Sequence, residues 1–116
     1  MKGETLADRA CVPCRGGTPP LPRAQADALL QALEAGWSLN DAGHLQHVYP
    51  FADFAAALSF ANQVGAVAET EGHHPDLHLG WGHCTVEIWT HAIAGLTESD
   101  FYLAAKVDRV HRNNGG

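Results

Sequence analysis

Positive charge is scarce in this sequence. Seven Lys and Arg stand against 13 Asp and Glu, giving a net charge of -6 with His neutral. Nucleic-acid binders present a basic patch to phosphates, so the balance argues against that role. No apolar run approaches the ~20 residues that span a bilayer. Residues 1–9 lack the apolar segment of a secretory signal, so a cytoplasmic location is expected. There are only three cysteines. Cys11 and Cys14 form a Cys-x-x-Cys, but no second pair offers a zinc-ligand set. A redox pair needs a helix start after it, whereas Gly16, Gly17, Pro19 and Pro20 make a loop. Two reduced thiols are the expectation. No Ser or Cys stands as a nucleophile, and no Gly-rich loop could cradle phosphate.

Histidine is abundant. Five of the eight fall between residues 69 and 100. With 116 residues, the chain has room for one domain and one core. We expect an irregular arm over 1–21, a single domain over 22–112 and a frayed tail over 113–116.

Within that domain a helix opens at Pro22, with Ala26, Leu29, Leu30 and Leu33 on one face and Gly36 as its left-handed cap. Residues 37–40 and 44–49 read as a hairpin around the turn Asp41-Ala42-Gly43. His44 and His47 fall on opposite faces of the second strand and read as surface or edge residues. Pro50 opens a long helix. Its expected inner stripe is Phe51, Phe54, Leu58, Ala61, Val64 and Ala68, and Gly72 caps it. Residues 77–81 and 83–91 form a second hairpin. Cys84, Val86 and Ile88 face one side; His83, Thr85, Glu87, Trp89 and His91 face the other. Thr97 and Asp100 form a capping box on the last helix, stapled by Leu96 and Phe101. That gives Asp100 a structural task, and it is set aside as a catalytic residue. The order α-β-β-α-β-β-α implies an α+β fold: a four-stranded antiparallel sheet with three helices on one face.

The histidines admit two chemistries. His74 and His78 have the i, i+4 spacing of a zinc-protease pair, but Pro75 replaces the general-base Glu and a strand would part the rings. His73, His74 and His91 could make a three-His metal site, although neighbouring strand residues point apart. No metal is expected. Proton transfer fits better. His73 and His74 follow a helix C-terminus, whose dipole favours an imidazolium. His91 could serve as the neutral base. Glu69, one turn back, could orient His73. Such a set suits dehydration, hydration or isomerisation without a cofactor.

Glu69, three residues, His73-His74-Pro75, then Trp81, His91 and Asp100 resemble the pterin-4a-carbinolamine dehydratase family. The likeness runs from about residue 17 to 112 and includes Gly36-Trp37 and Ala94-Gly95-Leu96-Thr97. The arm over residues 11–20 looks like that of bacterial members. The resemblance implies a hydro-lyase that converts 4a-hydroxytetrahydrobiopterin, or a related 4a-hydroxytetrahydropterin, to quinonoid dihydropterin and water. That step recycles the cofactor of aromatic amino-acid hydroxylases. It implies His73, His74 and His91 as catalytic residues, with His74 or His91 at the leaving hydroxyl and His73 as partner base. Glu69, Asp76 and Trp81 become candidates for substrate binding or support of the histidines. Trp81 could wall the pterin site or join the core. The resemblance also implies a homodimer or homotetramer, assembled through an edge strand or the Ala-rich helix. Animal members act as coactivators for a homeodomain protein, and nothing in these residues carries that over. The alternative is a non-catalytic module that binds a pterin or a partner, for example in molybdopterin metabolism. A metal-dependent hydrolase is a third reading.

Overall fold

Residues 4–12 and 19–114 are described by a computed structural model of the chain. Cys14, and with it the Cys-x-x-Cys pair, lies outside the described residues. A four-residue helix, α1 (Glu4–Ala7), precedes the domain. The expected order then follows: α2 (Arg23–Ala32), β1 (Ser38–Leu39), β2 (Leu45–Pro50), α3 (Phe54–Glu71), β3 (Asp76–Gly80), β4 (His83–Ile88) and α4 (Glu98–Asn113). The strands form one antiparallel sheet in the order β1-β2-β4-β3. Each hairpin supplies one edge strand and one central strand. The two central strands pair from Leu45 opposite Ile88 to Pro50 opposite His83.

Period-two alternation holds on β4: Cys84, Val86 and Ile88 are wholly buried. They meet Phe60 and Val64 of α3 and Phe101, Leu103 and Val107 of α4 in one core. The helices thereby close one face of the sheet and leave the other open. No helix among the described residues is long and apolar enough to cross a membrane.

Several expectations are corrected. The arm is not wholly irregular. Ala7 of α1 is buried, and its carbonyl accepts from Lys106 Nζ at 2.7 Å. The Cys11 N–H donates to Glu71 Oε1 at 2.9 Å, and the Val12 N–H to Ser99 Oγ at 2.8 Å. Contacts from α3 and α4 order this segment where local propensity would not. Pro50 ends β2 rather than opening α3. Asp53 is the true N-cap, its carboxylate accepting from the Ala56 N–H. Helix α3 then buries Ala57, Phe60, Val64 and Ala68, while Phe54 and Leu58 stay 44% and 40% exposed. A helix this rich in apolar residues offers two stripes, and its register on the sheet selects one. Gly36 does have positive φ, at +115°, but Leu33 is the C-cap of α2. Gly36 is required in the turn because a Cβ there would stand 2.3 Å from His47 Nε2.

His47 is not a plain surface residue. Its ring stacks on Tyr49 at 3.7 Å, and its Nδ1 is buried without a partner. Burial holds this imidazole below its ordinary pKa. Beside it, Asp108 of α4 accepts from Tyr49 Oη at 2.5 Å and Trp37 Nε1 at 2.9 Å. This buried polar joint ties α4 to β2 and to the segment before β1.

Candidate active site

The last turn of α3 aims the chain at the site. Gly72 adopts φ +65°, and the N–H groups of Gly72 and His73 both reach the Ala68 carbonyl. This left-handed cap ends the helix and sends successive side chains in different directions. His73 turns inward. Its side chain is 11% exposed, and Nε2 lies 2.6 Å from Asp100 Oδ1. His74 turns outward and back over the helix, with Nε2 2.5 Å from Glu69 Oε2. Glu69 therefore supports His74 and not His73, because the cap swings the second imidazole over the preceding turn.

Asp100 is fully buried. Its Oδ2 accepts from Thr90 Oγ1 and from the Thr97 N–H, both at 2.8 Å. The capping box is present. Asp100 is more than a cap, however, and its exclusion from the site is corrected. With Oδ2 occupied by two donors, Oδ1 remains for the ring of His73. A buried carboxylate in that position fixes the imidazole tautomer and stabilises the cation formed when the ring takes a proton. The Nδ1 atom of His73 makes no hydrogen bond among the described residues, and its ring borders a cavity of about 280 Å³.

The far wall of the cavity comes from the chain after β4. That strand ends at Ile88 rather than His91. Thr90 bridges to Gly95, and His91 opens a single 3-10 turn, His91–Ile93, closed by Ala94 at φ +51°. Gly72, His73 and His74 thus face Trp89, Thr90, His91 and Ala92 across the opening. His91 is exposed, and its ring stacks on Trp89 with centroids 4.2 Å apart. The three expected histidines are brought together, each by a different local device.

The two remaining expected residues are elsewhere. Trp81 sits in the β3–β4 turn, 70% exposed, and within this chain it neither walls the cavity nor joins the core. Asp76 begins β3 opposite Glu87 on the open face of the sheet. Asp76, His78 and Glu87 hold ligand atoms within 4.8 Å of one another and could accept a divalent ion, outside the cavity. Burial raises the Glu87 carboxyl, but hydrogen bonds from His44, Asn40 and His78 outweigh it and hold the group below the usual range. Trp89 and Thr90 line the cavity and Asp100 holds His73, and residue-by-residue reading named none of the three as a site residue. Asp100 was nonetheless the last member of the spacing pattern, and Trp89 lay two residues from His91 on the same strand face.

The chain is similar to known proteins in sequence and in fold. The profile of the family described as pterin 4 alpha carbinolamine dehydratase matches residues 19–110. A Rickettsia bellii protein, provisionally named a pterin-4-alpha-carbinolamine dehydratase, is 55% identical over 104 residues, covering 90% of this chain and 92% of its own. A Rubrobacter xylanophilus protein with the same provisional name is 49% identical over 105 residues, covering 90% of this chain and 97% of its own. Among solved structures, a Brucella melitensis protein titled transcriptional coactivator/pterin dehydratase superposes with a TM-score of 0.73 at 29% identity, covering 79% of this chain and 98% of that one. Family profile, relatives and fold converge, and the chain belongs to the pterin 4 alpha carbinolamine dehydratase family.

Proposed function

We propose that this protein dehydrates a 4a-hydroxytetrahydropterin, with 4a-hydroxytetrahydrobiopterin as the reference substrate, to the quinonoid dihydropterin and water. The observation that carries this reading is the set of three imidazoles around one cavity, two of them bonded to carboxylates. The reaction breaks the C4a–O bond and the N5–H bond and forms the C4a=N5 bond. The oxygen leaves as water with a proton supplied by a general acid, and a general base takes the N5 proton. One proton is given and one taken, so the chemistry needs no redox cofactor. His73 suits the base because Asp100 stabilises the imidazolium it would become. His74 or His91 donates to the leaving hydroxyl from the opening of the cavity.

The product would return, after reduction, to the aromatic amino-acid hydroxylase that made the carbinolamine. The same reading includes a homo-oligomer. Phe54 and Leu58 form an outward apolar stripe on α3 that a second copy would cover. Sedimentation of a Leu58→Glu variant as a smaller species than the parent protein would support this. An unchanged sedimentation coefficient would exclude α3 as the contact.

The decisive experiment generates the carbinolamine chemically and follows its dehydration by absorbance. His73→Ala, His74→Ala and His91→Ala should each lower turnover by roughly 10²-fold or more while leaving the circular dichroism spectrum intact. Turnover at wild-type rate in all three would overturn the catalytic assignment. Reduced-pterin binding by a wild-type protein that does not speed dehydration would favour a binding module instead. Loss of turnover on chelation would favour a metal hydrolase.

A further inference from the structure

Three histidines surround the cavity, but they are not held alike. His73 is anchored by Asp100 and His74 by Glu69. The ring of His91 makes no hydrogen bond among the described residues, it is exposed, and it stands on a short 3-10 turn. An unanchored exposed side chain samples several rotamers, and a group that must meet a substrate atom within about half an ångström cannot do so. Something other than a hydrogen bond has to fix this ring.

That support is a stack of rings. His91 lies on Trp89 at 4.2 Å, with planes 22° apart. His44 lies on the same indole at 4.1 Å, with planes 5° apart. Two imidazoles this close to one indole would collide on a shared face, so they take opposite faces and clamp the tryptophan between them. His44 is in turn pinned. Its Nδ1 is 2.8 Å from Glu87 Oε2, which also accepts from Asn40 Nδ2 at 2.8 Å. The Asn40 side-chain oxygen accepts the His44 N–H at 3.0 Å, fixing the backbone that carries the ring. The His44 and Glu87 side chains are only 15% and 17% exposed, so the anchor is largely shielded from water.

We propose that His44, anchored by Glu87 and Asn40, positions His91 through Trp89 for its part in the dehydration. His44 does not line the cavity and touches no substrate; it is a positioning residue. Offset or parallel aromatic contact restricts both rings, and adding a second face to the indole removes the freedom by which Trp89 would carry His91 away. The inference rests on the proposed function only in giving His91 a reaction to serve. The stack itself can be tested without turnover.

The test uses the full chain labelled with carbon-13 at histidine. The His91 ring resonances are assigned by their loss in His91→Gln. In the parent protein, Trp89 should shift the His91 Hε1 resonance strongly upfield. In His44→Ala that shift should collapse towards the free-imidazole position, while kcat falls about tenfold and KM changes less than twofold. His44→Phe keeps a flat ring but loses the anchor nitrogen, and should recover only part of both. Glu87→Gln, read in the same way, serves if His44→Ala does not fold. The proposal is overturned if the His91 resonance stays in place in these variants. It is equally overturned if the resonance moves while kcat holds, or if kcat falls while the resonance stays. If the parent protein does not dehydrate the pterin, the proposed function fails, and the resonance alone decides whether His44 holds His91.

Discussion

The Oδ1 atom of Asp100 lies 2.6 Å from Nε2 of His73, so one buried carboxylate both starts α4 and holds a ring of the candidate site. The two tasks use different oxygens. Oδ2 takes Thr90 and the Thr97 N–H, and Oδ1 takes the imidazole. The helix cap thereby fixes the carboxylate at the angle the histidine needs.

Asp100→Asn should therefore separate these tasks. The amide keeps an acceptor for the cap but puts an N–H₂ where a donor now bonds, so His73 loses its stabilised cation. We expect kcat to fall roughly 10- to 100-fold and stability to fall by about 1–3 kcal/mol from the disturbed buried hydrogen bonds. Thr97→Ala supplies the control. It weakens the cap by about 1 kcal/mol and should leave kcat within about threefold, since the His73 contact is untouched. Stopped-flow dehydration and urea unfolding on both variants check this. Equal kcat losses in the two would show that Asp100 acts on the site only through the helix.

Glu69 and His74 form the opposite case. Their side chains are 79% and 57% exposed, so water screens the pair despite its 2.5 Å separation. Exposed pairs contribute little to folding, and Glu69→Gln should change unfolding free energy by less than about 0.5 kcal/mol. Its effect on kcat should be about 2- to 5-fold, smaller than that of Asp100→Asn. The parent rate should also decline with added salt more than the variant's rate does. Steady-state assays between low and physiological ionic strength measure both. A larger loss for Glu69→Gln than for Asp100→Asn would reverse this ranking of the two carboxylates.

Gly36 tests the backbone beneath the aromatic cluster. Its φ of +115° is a region that side chains rarely adopt, and an added Cβ would lie 2.3 Å from the His47 ring. That ring cannot retreat easily, because it is stacked on Tyr49 and meets Trp37 edge-to-face. Gly36→Ala should cost about 2–4 kcal/mol, combining backbone strain with overpacking. Thermal unfolding should show the loss. Gly43→Ala is the comparison, since nothing lies within 4 Å of its added Cβ although its φ is also positive. It should cost only the backbone part, about 1 kcal/mol.

The element order was legible because each element is signalled locally: alternation on β4, a capping box before α4, and glycine at the end of α3. Two of the three candidate histidines stood out because Pro75 follows them where a periodic helix breaks off. Their partners did not. Whether Glu69 reaches His73 or His74 depends on the angle at Gly72, which spacing along the chain does not encode. The inner stripe of α3 was misjudged for a related reason. Phe54 and Leu58 are as apolar as Phe60 and Val64, and only the position of the sheet separates them. His44 looked like an edge residue because its neighbour Trp89 lies 45 residues on, just past the end of β4, and is brought alongside by the pairing of Leu45 with Ile88.

Asp108 gives the pH dependence of the fold a direction. Burial is the main influence and raises its pKa; Tyr49 and Trp37 hydrogen bonds pull the other way, and the net result is about 6. A carboxyl raised in the folded state binds its proton there more tightly than in the unfolded chain. Stability is thus lost as pH rises from about 4 to 6, on the order of 3 kcal/mol in all. His47 and His111 act oppositely. Burial lowers both, so the fold favours their neutral forms and loses stability as pH falls below about 6.5. The parent protein should consequently show a flattened profile between pH 5 and 6.5, where the two effects oppose. Asp108→Asn removes the carboxyl while an amide oxygen still accepts from Trp37 or Tyr49. Relative to the parent, the variant should gain stability as pH is raised from 4.5 to 7, whatever its absolute offset. Urea unfolding at closely spaced pH values measures that difference, and a constant gap across the range would show that Asp108 is not raised in the folded protein.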